Sequence, residues 1–435
     1  MLQIAAPKKI DTAAATLAAW LDTMRGPDGY GGPVAHWWQQ SLLYTGAGLD
    51  WRYEGIIAGY LQLWQRTGDE CWLGCAQRAG DDLVRAQLPG GHFPASTFEI
   101  NPATAGTPHE AACDVGLLLL ALALRRAGRD DWQRYAACAE RNLQLFYVDQ
   151  LWDATIQAFR DSPRVPSFVP NKAATASEAL FLLAEISGDA ASVEQYALPT
   201  LDRILRHQVR DGGRLDGALA QNSFGDRMID KYFPIYIARC VPVLLRGYRW
   251  SNDERYADGA LRALRFVARW MNGDGSCPTV IYANERTNRY PCWIAPLGDV
   301  LRAADEARPY GFDDDLSAMR AWLLAGQDAS GGIQTATGFA AQTGGRVPRL
   351  PDVRDVLHVA GWCDKAFRYL AAHVGPELPA ATSATFETAC TFQGATLRLI
   401  ETPAQLEISD RRGVCYRWLK SEPWPEIAAP LFWLR

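Results

Sequence analysis

Charged and polar residues gather at the head of, or just inside, six strongly apolar stretches. In chain order they are Asp50-Trp51-Arg52-Tyr53-Glu54; Thr107-Pro108-His109-Glu110 with Asp114; Asn171-Lys172 with Glu178; Asp226 with Asp230-Lys231-Tyr232; Asn288-Arg289-Tyr290 with Trp293; and Asp352 with Arg354-Asp355 and His358. Carboxylates that converge in a semi-enclosed place can have their pKa values pushed apart, leaving one as a general acid and the other as a base or nucleophile. Shifting the sequence by sixty residues puts Asp50 on Glu110 and Glu54 on Asp114, so two successive stretches carry acids four apart, on one face of a helix. Glu54, Glu110 and Asp230 are the best placed of these acids. A single Asp or Glu at a helix start is commonly a cap or a dipole partner. Here it is the recurrence at six starts that points to chemistry.

The cations Arg52, Lys172, Lys231, Arg289 and Arg354 sit where a helix dipole disfavours positive charge unless an anion compensates. Pairing with Asp50, Asp230, Asp352 or Asp355 is one answer; an anionic ligand such as a uronate carboxylate, sulfate or phosphate is the other. His109 and His358 are placed to exchange protons near neutral pH, whereas His207 and His373 close helices as dipole partners. His36 lies beside Trp37 and Trp38 in the loop GGPVAHWWQQSLLY, which suits either a stacking platform for a ring or a packed lid. No HxxH, HxxxH or paired Cys motif stands near these starts, so no metal and no cofactor is expected.

The elements that must position these residues follow from periodicity. Six segments, 51–67, 109–127, 171–186, 230–248, 289–306 and 354–373, are apolar almost all round, with runs such as GLLLLALAL and FPIYIARCVPVLL. They start about every sixty residues, the spacing of a structural repeat. Each is preceded or followed by a more amphipathic segment: 10–25, 70–87, 131–148, 190–209, 253–270 and 313–326. All-round apolar helices belong to an inner layer and amphipathic ones to an outer layer. The inner-to-outer turns are short (Gly68-Asp69, Gly188-Asp189), while the return loops are long and carry PDGYGG, LPGGHFPAS, RDGGRLDG, NGDGS and QDASGG. Long loops at one end of a ring are where a site is normally built.

Twelve helices in six pairs resemble the (α/α)6 toroid of the six-hairpin glycosidases, several polysaccharide lyases and sugar epimerases, and the related terpenoid cyclase and prenyltransferase toroids. The resemblance covers residues 10 to about 373 and rests on repeat length and helix pattern. It implies a funnel opening at the N-terminal ends of the inner helices, where unpaired N–H groups also favour anions and polarised hydroxyls. The function it implies is cleavage of a glycosidic bond in an oligosaccharide, one with acidic sugars included. Hydrolysis would use two carboxylates; β-elimination would use cations with a Tyr or His base, from Tyr53, Tyr232, Tyr290, His109 and His358. The expected site is then Glu54, Glu110, Asp230, Tyr232 and His358 for catalysis. Trp37, Trp38, Arg52, His109, Asn171, Lys172, Lys231, Arg289, Tyr290, Trp293 and Asp355 would bind substrate. A sugar epimerase using His109 and His358, an isoprenoid cyclase and a non-catalytic glycan-binding toroid are the alternatives. The DxDD and DDxxD patterns of the cyclases are missing, and Asp313-Asp314-Asp315 heads an outer helix.

Composition agrees with a globular protein: of 435 residues 48% are hydrophobic and 21% charged, with a net charge of -5. That balance gives no long-range attraction to nucleic acid or anionic lipid. The longest apolar run, Val115 to Leu124, is too short for a membrane span, and no signal peptide is read at the start. Ten scattered cysteines fit buried thiols and a cytoplasmic location. After the toroid, 1–378, the alternation in TFETACTFQGATLRLIETPAQLEISDRRGVCYRWLK predicts three or four antiparallel strands, a small β appendage over 379–435.

Overall fold

The computed structural model describes residues 10–27, 29–35, 42–45, 49–94, 110–225, 227–339, 360–381, 384–392 and 394–422. Its helices are α1 (Ile10–Thr23), α2 (Arg52–Thr67), α3 (Glu70–Ala86), α4 (Glu110–Arg126), α5 (Trp132–Asn142), α6 (Pro170–Ser187), α7 (Leu198–Arg206), α8 (Pro234–Ser251), α9 (Glu254–Arg269), α10 (Leu297–Ala307), α11 (Ser317–Ala325) and α12 (Ala360–Ala371). The even-numbered helices pack each on the next, and α12 returns to α2, so they close a ring. The odd-numbered ones lie outside: α3 spans α2 and α4, α7 spans α6 and α8, α9 spans α8 and α10, and α1 covers α12. This is the (α/α)6 toroid.

The two layers differ as their sequences require. In α4 every residue from Glu110 to Leu118 is buried, while α9 buries one face, Tyr256, Ala260, Ala263, Leu264 and Val267, and turns its arginines outward. Each described inner-to-outer turn passes through one left-handed residue, Gly68, Gly128, Gly188, Asn252 or Gly311. An aspartate then starts several outer helices: Asp69, Asp189, Asp253 and Asp315 each accept a backbone N–H two residues on. Two outer segments depart from the simple pattern, since α5 continues as a π-helix, Leu143–Leu151, and α7 follows another, Val193–Ala197.

The ring closes between the last repeat and the first. Gly331, with φ +98°, lies so close to Thr16 that a Cβ would stand 2.3 Å from its carbonyl oxygen. The Gln327 amide donates to Ala13 O at 2.9 Å across the same junction. Four antiparallel strands, Phe386–Phe392, Ala395–Glu401, Gln405–Asp410 and Gly413–Leu419, form a meander beside it. Leu397, Leu399, Leu406, Ile408 and Trp418 fill its buried face. The Trp20 indole N–H donates to Glu401 Oε1 at 2.7 Å, and Lys420 Nζ donates to the same oxygen at 2.9 Å.

Two inner helices start later than the apolar runs predict. α8 begins at Pro234 and α10 at Leu297, not at 230 and 289. Proline suits the first turn of a helix, where its missing N–H leaves nothing unpaired, so Pro234 sets the boundary. The residues before it are extended: Lys231–Tyr232 pair with Ile281–Tyr282, and Cys292–Trp293 pair with Ala336–Thr337. A run such as KYFPIYI is apolar enough to read as one helix and is in fact a strand followed by one.

Candidate functional site

Five of the six inner helices send charged side chains into the lumen. α2 contributes Glu54, α6 Glu178, α8 Arg239, α10 Asp299 and Arg302, and α12 Asp364, Lys365 and Arg368. Arg239 grips Glu54 with both nitrogens of its fork, Nη1 to Oε1 at 2.8 Å and Nη2 to Oε2 at 2.9 Å. Because α2 and α8 stand three places apart in a ring of six, this pair bridges the lumen from one wall to the opposite one. Arg239 also reaches Glu178 Oε2 at 3.1 Å and donates from Nε to Thr175 Oγ1 at 3.2 Å. Arg368 pairs with Glu54 as well, and Lys365 Nζ lies 3.8 Å from it and 3.0 Å from Asp364 Oδ2. Glu54 and Asp299 belong to the first turns of their helices, so the cluster forms a floor just below the N-terminal mouth.

Small residues allow the approach. A Cβ on Gly55 would meet Asp364 Oδ2 at 2.5 Å, and one on Gly298 would meet the Lys365 carbonyl at 2.3 Å. α12 is thereby wedged between α2 and α10, which brings Asp364 and Lys365 against Glu54 and Asp299.

The cluster divides its carboxyls. Burial opposes the charge on Glu54, but Arg239, Lys365, Arg368 and Arg302 outweigh it and hold the group well below the usual carboxylate range. Glu178 is lowered in the same way, burial being overcome by Arg239 and Arg302. For Asp364 burial prevails over Lys365 and, with Asp299 and Glu54 nearby, pushes the carboxyl well upward. Glu54 and Asp364 are thus shifted in opposite directions beside Lys365, whose own pKa is raised because Asp364, Glu54 and Asp299 outweigh its burial. Asp299, 7% exposed, is the most accessible of the three carboxyls around that lysine. Among the described residues no group of three or more His, Cys, Asp or Glu side chains is arranged to hold a metal ion.

The residues expected from sequence separate into three groups. Glu54 joins the cluster, and Arg52 lies buried at the mouth in a two-pronged pair with Asp50, Nε to Oδ1 at 2.8 Å and Nη2 to Oδ2 at 2.9 Å. Asn171 and Lys172 stand half-buried at the start of α6, with Lys172 Nζ 2.8 Å from Asp161. The second group stands apart from the floor. Glu110 turns toward the outer layer, where its Oε2 accepts from Asn142 of α5 at 2.7 Å and from the Phe93 N–H at 3.2 Å. Asp230 and Lys231 are exposed on extended chain, not at a helix start. Tyr232 is packed edge-on to Phe266, and its hydroxyl is pushed up to about 12 by burial, then by Asp230 and Asp211. Arg289 is exposed near Asp274 at 3.3 Å with its guanidinium over Tyr290, and Trp293 is buried in a strand. The third group, Trp37, Trp38, His109, Asp355 and His358, lies outside the described residues. Arg239, Asp299, Arg302, Asp364, Lys365 and Arg368 were missed, although a charge inside an all-round apolar helix, as in FPIYIARCVPVLL, is itself a signal of a buried partner.

No family model matches the chain, and no curated protein matches it. Solved structures do. An unsaturated glucuronyl hydrolase specific for heparin is 12% identical with a TM-score of 0.60, covering 83% of this chain and 94% of its own. A D-mannose isomerase is 12% identical with a TM-score of 0.60, covering 83% and 95%. An α-1,6-mannanase from a Salegentibacter species is 11% identical with a TM-score of 0.52, covering 84% and 99%. At these identities the likeness is one of fold.

Proposed function

We propose that the chain is a carbohydrate-active enzyme that hydrolyses a glycosidic bond in an oligosaccharide, acidic sugars among its substrates. The observation that carries the reading is the floor of the lumen, where Glu54, Asp299 and Asp364 gather around Lys365, Asp299 being the most accessible of the three. Glycosidic cleavage draws on carboxyls of differing proton affinity held close together. Asp299 is the carboxyl that meets the substrate; Glu54 holds Arg239, Lys365 and Arg368 in place beneath it. Asn171, Lys172 and Tyr290, all half-buried, contact the sugar at the mouth, and Trp37, Trp38, His109, Asp355 and His358 keep the binding and proton-transfer roles assigned to them from sequence. Two of the tyrosines named as bases for β-elimination are engaged away from the floor, Tyr53 donating to Asp82 Oδ2 at 3.3 Å and Tyr232 packed against Phe266, so hydrolysis is the reading put to the test. The names of the similar structures, two glucuronyl- or mannan-cleaving enzymes among them, agree with a glycan substrate.

The test is incubation with neutral and acidic oligosaccharides while reducing ends and ultraviolet absorbance are followed together. Reducing ends without new absorbance are expected; absorbance from an unsaturated uronate would mean elimination instead. Asp299→Asn should lower kcat by about 100-fold or more, whereas Asp230→Asn should leave it within about twofold, the ordinary scatter of surface changes. A wild-type rate in Asp299→Asn would overturn the reading.

A further inference from the structure

A second cavity lies on the outer flank, away from the mouth. It is a groove of about 610 Å³ between α1 and α3, closed on one side by the chain at 376–381. Thr67, at the end of α2, and Asp69, at the start of α3, mark one end of it, so it opens toward the face of the toroid opposite the funnel. Its volume lies in the range of small-ligand sites. The wall is aromatic: Trp72, half-buried, is stacked on Tyr60 with ring centroids 6.0 Å apart and planes 16° from parallel. Asp22 and Arg78, both exposed, line the same groove.

We propose that this groove binds a short neutral oligosaccharide at a site separate from the catalytic mouth, an inference that rests on the reading of the chain as a carbohydrate-active enzyme. The polar groups decide the ligand class. Asp69 already accepts the Cys71 N–H at 2.9 Å, while Arg78, which donates to Cys75 Sγ at 3.1 Å, is the single cation among the described lining residues, beside the carboxylates of Asp22 and Asp69. An anion would therefore meet two carboxylates, and a cation would meet the guanidinium. A ligand with hydroxyls can donate to Asp22 and accept from Arg78 at once. The C–H faces of a pyranose can at the same time pack on the part of the half-buried Trp72 indole that its stack on Tyr60 leaves uncovered.

Isothermal titration of the full chain with cellotriose, maltotriose and mannotriose tests this. A saturable event is expected with at least one of them. It should weaken about tenfold or more in Trp72→Ala, Asp22→Ala and Arg78→Ala, the loss of roughly one stacking or hydrogen-bonding contact. Turnover of whatever glycan the mouth cleaves should not change. Asp22 and Arg78 are exposed, so their variants remain informative where Trp72→Ala loses its fold. Binding that survives all three substitutions, or no heat with any of the three sugars, overturns the groove site. If the wild type cleaves no glycan and yet shows heat that depends on Trp72, Asp22 and Arg78, the groove stands and the catalytic reading falls.

Discussion

Glu54 and Asp114 occupy equivalent places in neighbouring repeats and live in opposite surroundings. They are sixty residues apart, and each precedes the left-handed glycine of its own helix by the same interval, Glu54 before Gly68 and Asp114 before Gly128. Glu54 is gripped by guanidinium and ammonium groups sent from α8 and α12. Asp114 is wholly buried, and neither of its oxygens has a hydrogen-bond partner among the described residues. Its carboxyl is pushed well upward by burial and then by Glu110, and the buried thiols of Cys113 and Cys138 lie near it. A repeat therefore fixes how far along a helix a residue falls. What that residue does depends on the side chains the other repeats direct toward it, and among the described residues none directs a cation toward Asp114.

The largest test of this contrast is Arg239→Met. It leaves Glu54 and Glu178 without the group that spans the lumen, and removing one partner of a buried ion pair costs about 3–5 kcal/mol, read as a lower midpoint in urea unfolding. Asp114→Asn should act in the other direction. At pH 8 the ionised form of a buried, unpartnered carboxyl is avoided only by keeping its proton, so the amide should raise stability by about 1–3 kcal/mol.

The pH dependence of the two variants should have opposite signs. The folded pKa of Asp114 is raised, so the native state holds the proton longer than the unfolded chain and wild-type stability falls as pH rises above about 4. Asp114→Asn removes that fall, and its advantage should vanish in acid. The folded pKa of Glu54 is lowered, so its contribution is present above about 4 and is lost as pH drops toward the folded value. Glu54→Gln should flatten that acid limb; a limb of unchanged slope would show that Glu54 is not held by its cations. The smallest effect belongs to Asp69→Ala, which removes an exposed N-cap on an outer helix and should lower the unfolding midpoint only slightly, at any pH where the carboxylate is charged. Were Glu54→Gln to cost no more than this cap, the lumen cluster would be electrostatically idle.

Much of the ring was legible in the chain before any coordinates. The Gly-Asp turns at 68–69 and 188–189 mark real inner-to-outer corners, because a left-handed residue ends one helix and an aspartate caps the next. The alternation after Pro379 became the four-stranded meander. The site was less legible for two physical reasons. A proline inside an apolar run moved the starts of α8 and α10, so Asp230, Lys231, Tyr232 and Arg289, read as helix heads, are on extended chain. Direction was the other reason: Glu110 and Glu54 sit at helix heads alike, yet one turns to Asn142 and the other to Arg239. Periodicity says which face is apolar, and on a helix that is apolar all round it names no face at all.

The junction at Gly331 and Thr16 has a consequence for the order of assembly. α1 is made before the rest of the ring, and the partners that cover it, Gln327, Gly331 and α12, emerge roughly 300 residues later, some tens of seconds at usual synthesis rates. During that interval Trp20, fully buried in the finished ring, waits for Gly331, Gly332 and Glu401 to cover it. Closure is then a late, long-range event of the kind that slows folding. A nascent chain arrested before residue 327 would present an open arc of helical hairpins with one sticky end, the form most in need of a chaperone and most prone to pair with a second unfinished copy.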